Sequence, residues 1–236
     1  MTSHGDDSSV SYFLVMDFEA TCELDDRKWL NEIIEFPAVL LDAATLDTVA
    51  EFREFVRPTE RPQLTAFCSH LTGIQQADVD SADTLAGVLA RFGEWLASSC
   101  VTGAALPVTC GDWDLQQMLP KETKRKRLEY PSALRIWCNI KVSFFQARGQ
   151  KAGGMKEMLD VLGLPLVGRH HSGIDDARNI ARILVELVRR YEFHITHTGL
   201  LHPRAVTSES TIVSDTAECG LGPGSETPSI RNASCG

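Results

Sequence analysis

Short apolar runs rich in β-branched and aromatic residues dominate the first part of the chain. Runs of this length, bounded by polar and turn residues, predict buried β-strands. The strands predicted from this pattern cover residues 12–18, 36–41, 49–56, 107–110 and 135–140. Pro37 indicates that the second strand begins irregularly or lies at an edge, because proline has no N–H to donate to a neighbouring strand.

Helical spacing of apolar residues becomes the dominant pattern after residue 80. Ser81 is suited to cap a helix, and the apolar stripe that follows it consists of Leu85, Val88, Leu89, Phe92, Trp95 and Leu96. Further helices are predicted from residue 114, over residues 155–162 before Gly163, and over residues 176–191. Three early antiparallel strands, later parallel strands and flanking helices predict an α/β fold.

Length and composition indicate one folded domain with polar ends. The chain has 236 residues, and its 43% hydrophobic content is enough for one sizeable core. We predict that residues 10–200 form the domain, that residues 1–9 are a disordered N-terminus and that residues 201–236 are a disordered tail. No apolar stretch reaches the roughly 18 residues of a membrane span, so none is predicted.

The cysteines and the first residues bear on the cellular compartment. Seven cysteines occur singly, without a Cys-x-x-Cys pair, which indicates neither a zinc ribbon nor a disulfide framework. The polar, acidic first residues are unlike a secretory signal or an Arg-rich transit peptide. We therefore expect reduced thiols and a cytoplasmic or nuclear location, or both.

Asp17 and Glu19 come at the end of the first predicted strand. Side chains alternate along a strand, so these two carboxylates project from the same face. Adjacent carboxylates repel each other and lose hydration unless a cation compensates them, and hard oxygen ligands suit Mg²⁺ or Mn²⁺. The alternative is a pair of solvated acids just beyond a strand.

Asp112 and Asp114 lie where the strand predicted at residues 107–110 turns through Gly111 into a helix. Such turns at the carboxyl ends of strands are where open α/β sheets place their chemistry. Either aspartate is a candidate metal ligand. Asp112 alone would also fit as a helix cap.

His170, His171, Asp175 and Asp176 lie in a glycine-flanked loop and at the start of the last predicted helix. A loop histidine suits a general base because its ordinary pKa of about 6.5 lets it exchange a proton near neutrality. The alternative is that the aspartates face the helix N-terminus and that the histidines are merely exposed.

Together these motifs resemble those of the DEDDh-type 3′-to-5′ exonucleases of the DnaQ-like, RNase H-like superfamily. They resemble most closely the Eri-type exoribonucleases related to histone-mRNA 3′-end processing and RNA interference. The segments that carry the resemblance are DFEATC at 17–22, NEIIEFP at 31–37, HLTGI at 70–74, WD at 113–114, WCNIK at 137–141, and His171 five positions before Asp176. The resemblance covers roughly residues 10–195.

The resemblance implies an RNase H-like mixed five-stranded sheet, with three antiparallel strands and two added parallel ones, flanked by helices. The residues that it assigns to metal binding are Asp17, Glu19, Asp114 and Asp176. It assigns catalysis to Glu19 and His171. Substrate contacts are implied for these two residues and for Ala20 and Thr21. The spacing of the family motifs selects His171 over His170, Asp114 over Asp112 and Asp176 over Asp175.

The implied function is a metal-dependent 3′-to-5′ exoribonuclease that removes nucleoside 5′-monophosphates from RNA 3′ ends. Two Mg²⁺ or Mn²⁺ ions would take part, one held by Asp17, Glu19 and Asp176 and the other by Asp17 and Asp114. His171 would be the general base. One alternative is an exonuclease that acts on DNA or short oligonucleotides. Another is a non-catalytic RNA- or ribonucleoprotein-binding component. Ribonucleoprotein partners are expected both for the exoribonuclease and for the binding component.

The net charge of −9 is unevenly distributed along the chain. Ten Lys or Arg residues lie between Lys121 and Lys156, and residues 124–127 form the densest basic patch. A local basic segment is enough to hold phosphates near an acidic centre. The alternatives are a solvated loop and a weak nuclear-localisation signal.

Overall fold

The structure, a computed structural model, describes residues 10–24, 26, 28–100 and 102–202. The disorder predicted for residues 1–9 and for residues 203–236 lies outside the described residues. Leu201, which the sequence placed in the tail, is described, and its N–H donates to the carbonyl of Arg135 at 2.7 Å.

Within the described residues, seven strands form one mixed sheet. The strands are β1 (Tyr12–Met16), β2 (Glu19–Ala20), β3 (Ile33–Asp42), β4 (Thr48–Phe55), β5 (Ala105–Thr109), β6 (Ile136–Asn139) and β7 (Gly199–Leu200). β3 pairs antiparallel with β1, β2 and β4, whereas β5 runs parallel to both β1 and β6. The mixed α/β architecture is confirmed, and the count of five strands is corrected to seven. β2 and β7 have two residues each, too few to show a hydrophobic period.

The interpretation of Pro37 as a strand start or an edge position is wrong. β3 runs through Pro37 and has neighbours on both sides. On one side the β1 pairing ends at Met16 opposite Ala38, and the β2 pairing resumes at Glu19 opposite Glu35. The missing N–H therefore coincides with the break between β1 and β2, which is how a central strand tolerates the proline.

Helices cover both faces of the sheet. They are α1 (Ala66–Thr72), α2 (Gln76–Asp80), α3 (Leu85–Ser99), α4 (Leu119–Lys126), α5 (Ile140–Arg148), α6 (Met155–Leu162) and α7 (Gly173–Tyr191). Ser81 ends α2 rather than capping α3, which Thr84 precedes. α7 begins three residues before the predicted start at Asp176. None of the described helices is long and apolar enough to cross a membrane.

A π-helical turn, Trp113–Met118, precedes α4 in place of the ordinary α-helix predicted from residue 114. Here the N–H of Leu119 donates to the carbonyl of Asp114, five residues earlier. The next residue, Pro120, has no N–H to continue an α-helical ladder. The wider turn therefore places Asp114 at the start of an irregular element, a type often found at functional sites.

β1 is buried on both faces because alternate side chains enter two different cores. Phe13 and Val15 pack with helices α5, α6 and α7 on one face. Leu14 and Met16 pack with α3 and the π-helical turn on the other. This double burial fixes the end of β1, where the first acidic residues follow.

A buried ion-pair cluster of Glu32, Glu122 and Lys126 joins α4 to the start of β3. Both glutamates are fully buried, and the Lys126 ammonium lies 2.8 Å from Glu32 and 2.6 Å from Glu122. Arg125 donates to the carbonyl of Asn31 at 2.8 Å. Two of the four residues in the basic patch at 124–127 therefore hold the fold together, which favours a structural role for them over contact with phosphates.

Candidate active site

The four carboxylates and the histidine that the family resemblance assigns to metal binding and catalysis converge where β1 and β5 end. Asp17 follows β1, Glu19 opens β2, and Asp114 lies in the π-helical turn. Asp176 lies in the first turn of α7 and His171 in the loop before it. Carboxylate oxygens of Asp17, Glu19 and Asp176 lie within 4.8 Å of one another. The tertiary structure thus brings together residues that are up to 159 positions apart in the sequence.

Asp114 and Asp112 have different surroundings although they are two residues apart. Asp114 accepts a hydrogen bond from the N–H of Phe18 at 3.0 Å, which ties it to the segment between Asp17 and Glu19. Both carboxylate oxygens of Asp112 are occupied, by Trp137 Nε1 at 2.9 Å and by Asn139 Nδ2 at 3.0 Å. Asp112 makes no helix-capping bond, so that alternative is wrong.

The two aspartates of α7 also differ in their contacts. Asp175 accepts from the N–H of Arg169 at 3.0 Å and from the Arg178 guanidinium at 3.2 Å. Asp176 accepts the N–H of His171 through Oδ2 at 2.8 Å. Its buried Oδ1 has no hydrogen-bond partner among the described residues. The carboxylate of Asp175 therefore accepts hydrogen bonds from two arginine residues, whereas Oδ1 of Asp176 remains available to bind a ligand.

The histidine loop holds two imidazoles side by side. His171 adopts a left-handed backbone conformation, with a φ of 63°, that is uncommon for a residue with a side chain. Its ring stacks on that of His170 with centroids 3.9 Å apart and an interplanar angle of 22°. Burial lowers the pKa of both rings, with a contribution from nearby positive charges, so the neutral form is favoured.

Burial in the acidic cluster raises the pKa of each carboxyl group. The pKa of Glu19 rises to about 9, that of Asp176 to about 7 and that of Asp114 to about 6, in each case chiefly through desolvation. Desolvation also raises the pKa of Asp17 well above its ordinary value, and the charge of Asp114 adds to this effect. A divalent cation would reverse these shifts, because it stabilises the ionised carboxylates.

The residues present fit a divalent cation. An unpartnered buried oxygen such as Asp176 Oδ1 destabilises a fold unless something binds it. Asp17, Glu19 and Asp176 supply only hard carboxylate oxygens, the donor type that Mg²⁺ and Mn²⁺ prefer.

Glu35 is a buried residue of the site for which no role was predicted from the sequence. Its carboxylate accepts the N–H of Gly173 at 3.0 Å and pairs with Arg53 at 2.7 Å. A Cβ on Gly173 would lie 2.7 Å from the carbonyl oxygen of Asp17, so only glycine allows α7 to approach the end of β1 this closely. A charged residue inside the apolar run of β3 was the available signal.

A cavity of about 570 Å³ opens beside the acidic cluster. Its lining includes Asp17, Asp176, His170, His171 and Lys141. The ammonium of Lys141 donates to the carbonyl of Gly153 at 2.9 Å, and its positive charge lowers the pKa of Asp114. No role for Lys141 was predicted from the sequence either.

A larger cavity of about 810 Å³ lies between α3 and the segment before β6. Its lining is mainly apolar and includes Leu89, Leu96 and Tyr130. We place the site in the smaller cavity because the converging carboxylates and histidines are there.

Ala20 and Thr21 lie beside the site in β2 and just after it. The N–H of Thr21 donates to the carbonyl of Glu32 at 2.8 Å, and its carbonyl accepts from Asn31 Nδ2 at 2.6 Å. Its hydroxyl accepts the N–H of Glu32 at 3.0 Å. These bonds fix the segment within the protein, and the substrate contacts of Ala20 and Thr21 stay predictions.

Comparison with known sequences gives a family match and close relatives. The family model described as "Exonuclease" (RNase_T) matches residues 14–184. ERI1 exoribonuclease 3 from Homo sapiens is 42% identical over 185 residues, which cover 76% of this chain and 54% of that protein. The chain spans about half the length of the curated relatives it matches.

Two solved structures resemble the described fold closely. One is the nuclease domain of 3′hExo, a DEDDh family member, bound to rAMP, with a TM-score of 0.74 and 38% identity over 81% of this chain and 98% of that one. The other is a 3′-exonuclease solved for its 3′-end specific recognition of histone mRNA stem-loop. Its TM-score is 0.76 and its identity 36%, over 83% of this chain and 89% of that one.

Proposed function

This chain belongs to the RNase_T exonuclease family, and from that premise we propose that it is a 3′-to-5′ exoribonuclease. It would hydrolyse the terminal phosphodiester of RNA and release nucleoside 5′-monophosphates. The observation that carries the proposal is the cluster of Asp17, Glu19 and Asp176, whose oxygens lie within 4.8 Å of one another beside the buried Asp114.

Membership of this family implies dependence on a divalent metal, and two Mg²⁺ or Mn²⁺ ions are part of the proposal. Asp17, Glu19 and Asp176 would hold one ion, and Asp17 and Asp114 the other. Bound there, such ions stabilise charge on the scissile phosphate and activate a water molecule. The unpartnered Oδ1 of Asp176 supports this assignment.

His171 would act as the general base. It lines the cavity beside Asp17 and Asp176. Burial lowers its pKa below 6.5, so the imidazole has a lone pair that can accept a proton at neutral pH. Its N–H bond to Asp176 couples the position of the base to that of a metal-binding carboxylate.

The relatives and structural neighbours of this chain support an RNA substrate. A relative is named an exoribonuclease, and the two structural neighbours were solved with a histone mRNA stem-loop and with rAMP. The Lys141 ammonium in the cavity supplies a positive charge for a phosphate group. Contacts to a 2′-OH near Ala20 and Thr21 would distinguish RNA from DNA. Ribonucleoprotein partners belong to the same proposal.

The test is trimming of matched RNA and DNA oligonucleotides with a 3′ overhang by the purified chain in Mn²⁺. We expect RNA to be shortened faster than DNA, with nucleoside 5′-monophosphates as products. Glu19→Gln should show no trimming, which assigns the activity to this site. Equal or faster trimming of DNA would favour the DNA alternative, and binding of RNA without any hydrolysis would favour a non-catalytic component. An RNA with a 3′-phosphate should resist, since undiminished cutting would indicate an endonuclease.

A further inference from the structure

We propose that His170, His171 and Asp176 form a binding site for a transition-metal cation of the Zn²⁺ class. This site would differ in chemistry from the carboxylate positions for Mg²⁺ or Mn²⁺. Ligand atoms of the three side chains lie within 4.8 Å of one another. His170 has no part in the proposed exonuclease chemistry. The proposed site therefore gives this residue a role and uses imidazole nitrogen as a metal ligand, which the carboxylate positions do not.

The geometry of the loop supports coordination by both imidazoles. Both residues line the same cavity, and their ligand atoms lie within 4.8 Å of each other. The rings are stacked with centroids 3.9 Å apart, which directs their in-plane nitrogen lone pairs nearly parallel, so one ring must turn before both can bind the same cation. Zn–N bonds of about 2.0–2.1 Å place two nitrogen ligands of a tetrahedral site roughly 3.3 Å apart. Among the described residues neither imidazole has a hydrogen-bond partner, so turning a ring toward a shared cation breaks no hydrogen bond.

Asp176 provides the third ligand. Its Oδ2 is held by the N–H of His171 at 2.8 Å, which orients the carboxylate toward the histidine loop. Its Oδ1 is buried and has no partner among the described side chains and backbone groups. A carboxylate oxygen that is already desolvated and unpaired lowers the cost of binding a cation.

The donor set selects the type of cation. Imidazole nitrogen suits Zn²⁺, Co²⁺, Ni²⁺ and Cu²⁺, whereas Mg²⁺ prefers oxygen. Two histidines and one carboxylate with an open position are a common protein arrangement for Zn²⁺.

Occupation of this site would inhibit RNA hydrolysis. The metal would take the lone pair of His171 that the general base needs, and it would compete for Asp176. This consequence rests on the proposed exonuclease function, whereas the binding of the metal does not. The chain would therefore be active with Mg²⁺ and inhibited by Zn²⁺ at much lower concentration.

Binding is tested with Co²⁺, whose visible absorption is intense in a tetrahedral site with nitrogen ligands and weak in an octahedral site of oxygen ligands. The metal-free full chain is titrated with Co²⁺ in excess Mg²⁺, and Zn²⁺ affinity is then measured by displacement. We expect one Co²⁺ per chain and a spectrum of nitrogen ligation. His170→Asn should weaken both metals by about tenfold or more. The matched control His194→Asn removes an exposed histidine elsewhere and should leave binding unchanged. A spectrum of oxygen ligation alone, or equal binding by wild type and His170→Asn, would overturn the site.

Inhibition is tested by adding Zn²⁺ to RNA trimming in Mg²⁺. With each protein compared with its own Mg²⁺-supported rate, His170→Asn should need about ten times more Zn²⁺ than wild type for half inhibition. Equal Zn²⁺ sensitivity of the two proteins would overturn the inhibitory role. If no protein hydrolyses RNA, the proposed exonuclease function fails, and the Co²⁺ titration still decides whether the metal site exists.

Discussion

Replacing Asp114 by asparagine should stabilise the metal-free protein although it removes a proposed metal ligand. Asp114 is only 5% exposed, and burial raises its pKa to about 6, against about 3.9 in an unfolded chain. Asparagine has nearly the same shape, and its Oδ1 can still accept the N–H of Phe18, now bonded at 3.0 Å. The substitution therefore removes a buried charge and keeps the hydrogen bond.

The size and the pH dependence of the effect follow from the raised pKa of Asp114. A rise of about two units, at about 1.4 kcal/mol each, means that ionised Asp114 destabilises the fold by about 3 kcal/mol above pH 6. The stability present below pH 3.9 is lost as the pH rises through 6. About half of the loss has occurred at pH 5, because the unfolded carboxyl is already ionised there. The free energy of unfolding of metal-free Asp114→Asn should therefore exceed that of wild type by about 3 kcal/mol at pH 8 and by about half as much at pH 5.

Thermal unfolding at pH 5 and pH 8, in EDTA and in Mg²⁺, measures these differences. In EDTA at pH 8 the melting temperature of Asp114→Asn should lie roughly 5–10 °C above that of wild type. Mg²⁺ should raise the melting temperature of wild type more than that of the variant, because the ion removes the same destabilisation. A variant that melts below wild type at pH 8 in EDTA would refute the reasoning.

Asp112→Asn is the matched control for this experiment. Both oxygens of Asp112 accept hydrogen bonds, from Trp137 and from Asn139, and an amide offers only one acceptor. This variant should lose about 1–3 kcal/mol at both pH values. Asp114→Asn should stabilise the protein and Asp112→Asn should destabilise it, although the chemical change is the same. This difference would show that burial of the charge dominates at Asp114 and that hydrogen bonding dominates at Asp112.

Three further substitutions test other parts of the site and the fold. Asp176→Asn should slow RNA trimming at least about 100-fold, while Asp175→Asn, whose partners are arginines, should stay within a few-fold of wild type in the same assay. Gly173→Ala should lower the free energy of unfolding by about 1–3 kcal/mol in urea, because the new Cβ would meet the backbone carbonyl that follows β1 at 2.7 Å. Lys126→Met should lower the free energy of unfolding by about 3–5 kcal/mol, because two glutamates of the buried ion-pair cluster would lose their cation. The control Lys124→Met removes an exposed lysine and should be nearly neutral. A nearly neutral result for Lys126→Met as well would contradict the structural role of Lys126.

Regular elements with a strong local period were predictable from the sequence. The apolar runs located β1, β4, β5 and β6, and the helical stripes located α3, α6 and most of α7. These patterns are visible because the period of 2 or 3.6 is a property of the segment itself. Helix starts were less predictable. Ser81 has the residue type of an N-cap, yet it follows the end of α2, and its hydroxyl donates to the carbonyl of Ala77 in that helix.

Features that depend on distant partners were not predictable. The two-residue strands β2 and β7 exist only because longer neighbours pair with them. Glu35 is a charged residue in a buried strand, and its role appears only when α7 brings the N–H of Gly173 to it from 138 residues away. The same holds for Lys126, which the sequence presents as part of a basic patch.

The residue types that follow each strand are a property of the sequence alone, and they place carboxylates and histidines at the edge where such sheets carry out chemistry. Taken alone, the residues left Asp112 and Asp114, and Asp175 and Asp176, as open alternatives. Which of these carboxylate oxygens accept hydrogen bonds from other groups depends on the fold, because Trp137 and Asn139 reach Asp112 from β6. A hydrogen-bond partner that is distant in sequence leaves no local pattern. A buried carboxylate oxygen that lacks a partner can likewise be recognised only in three dimensions.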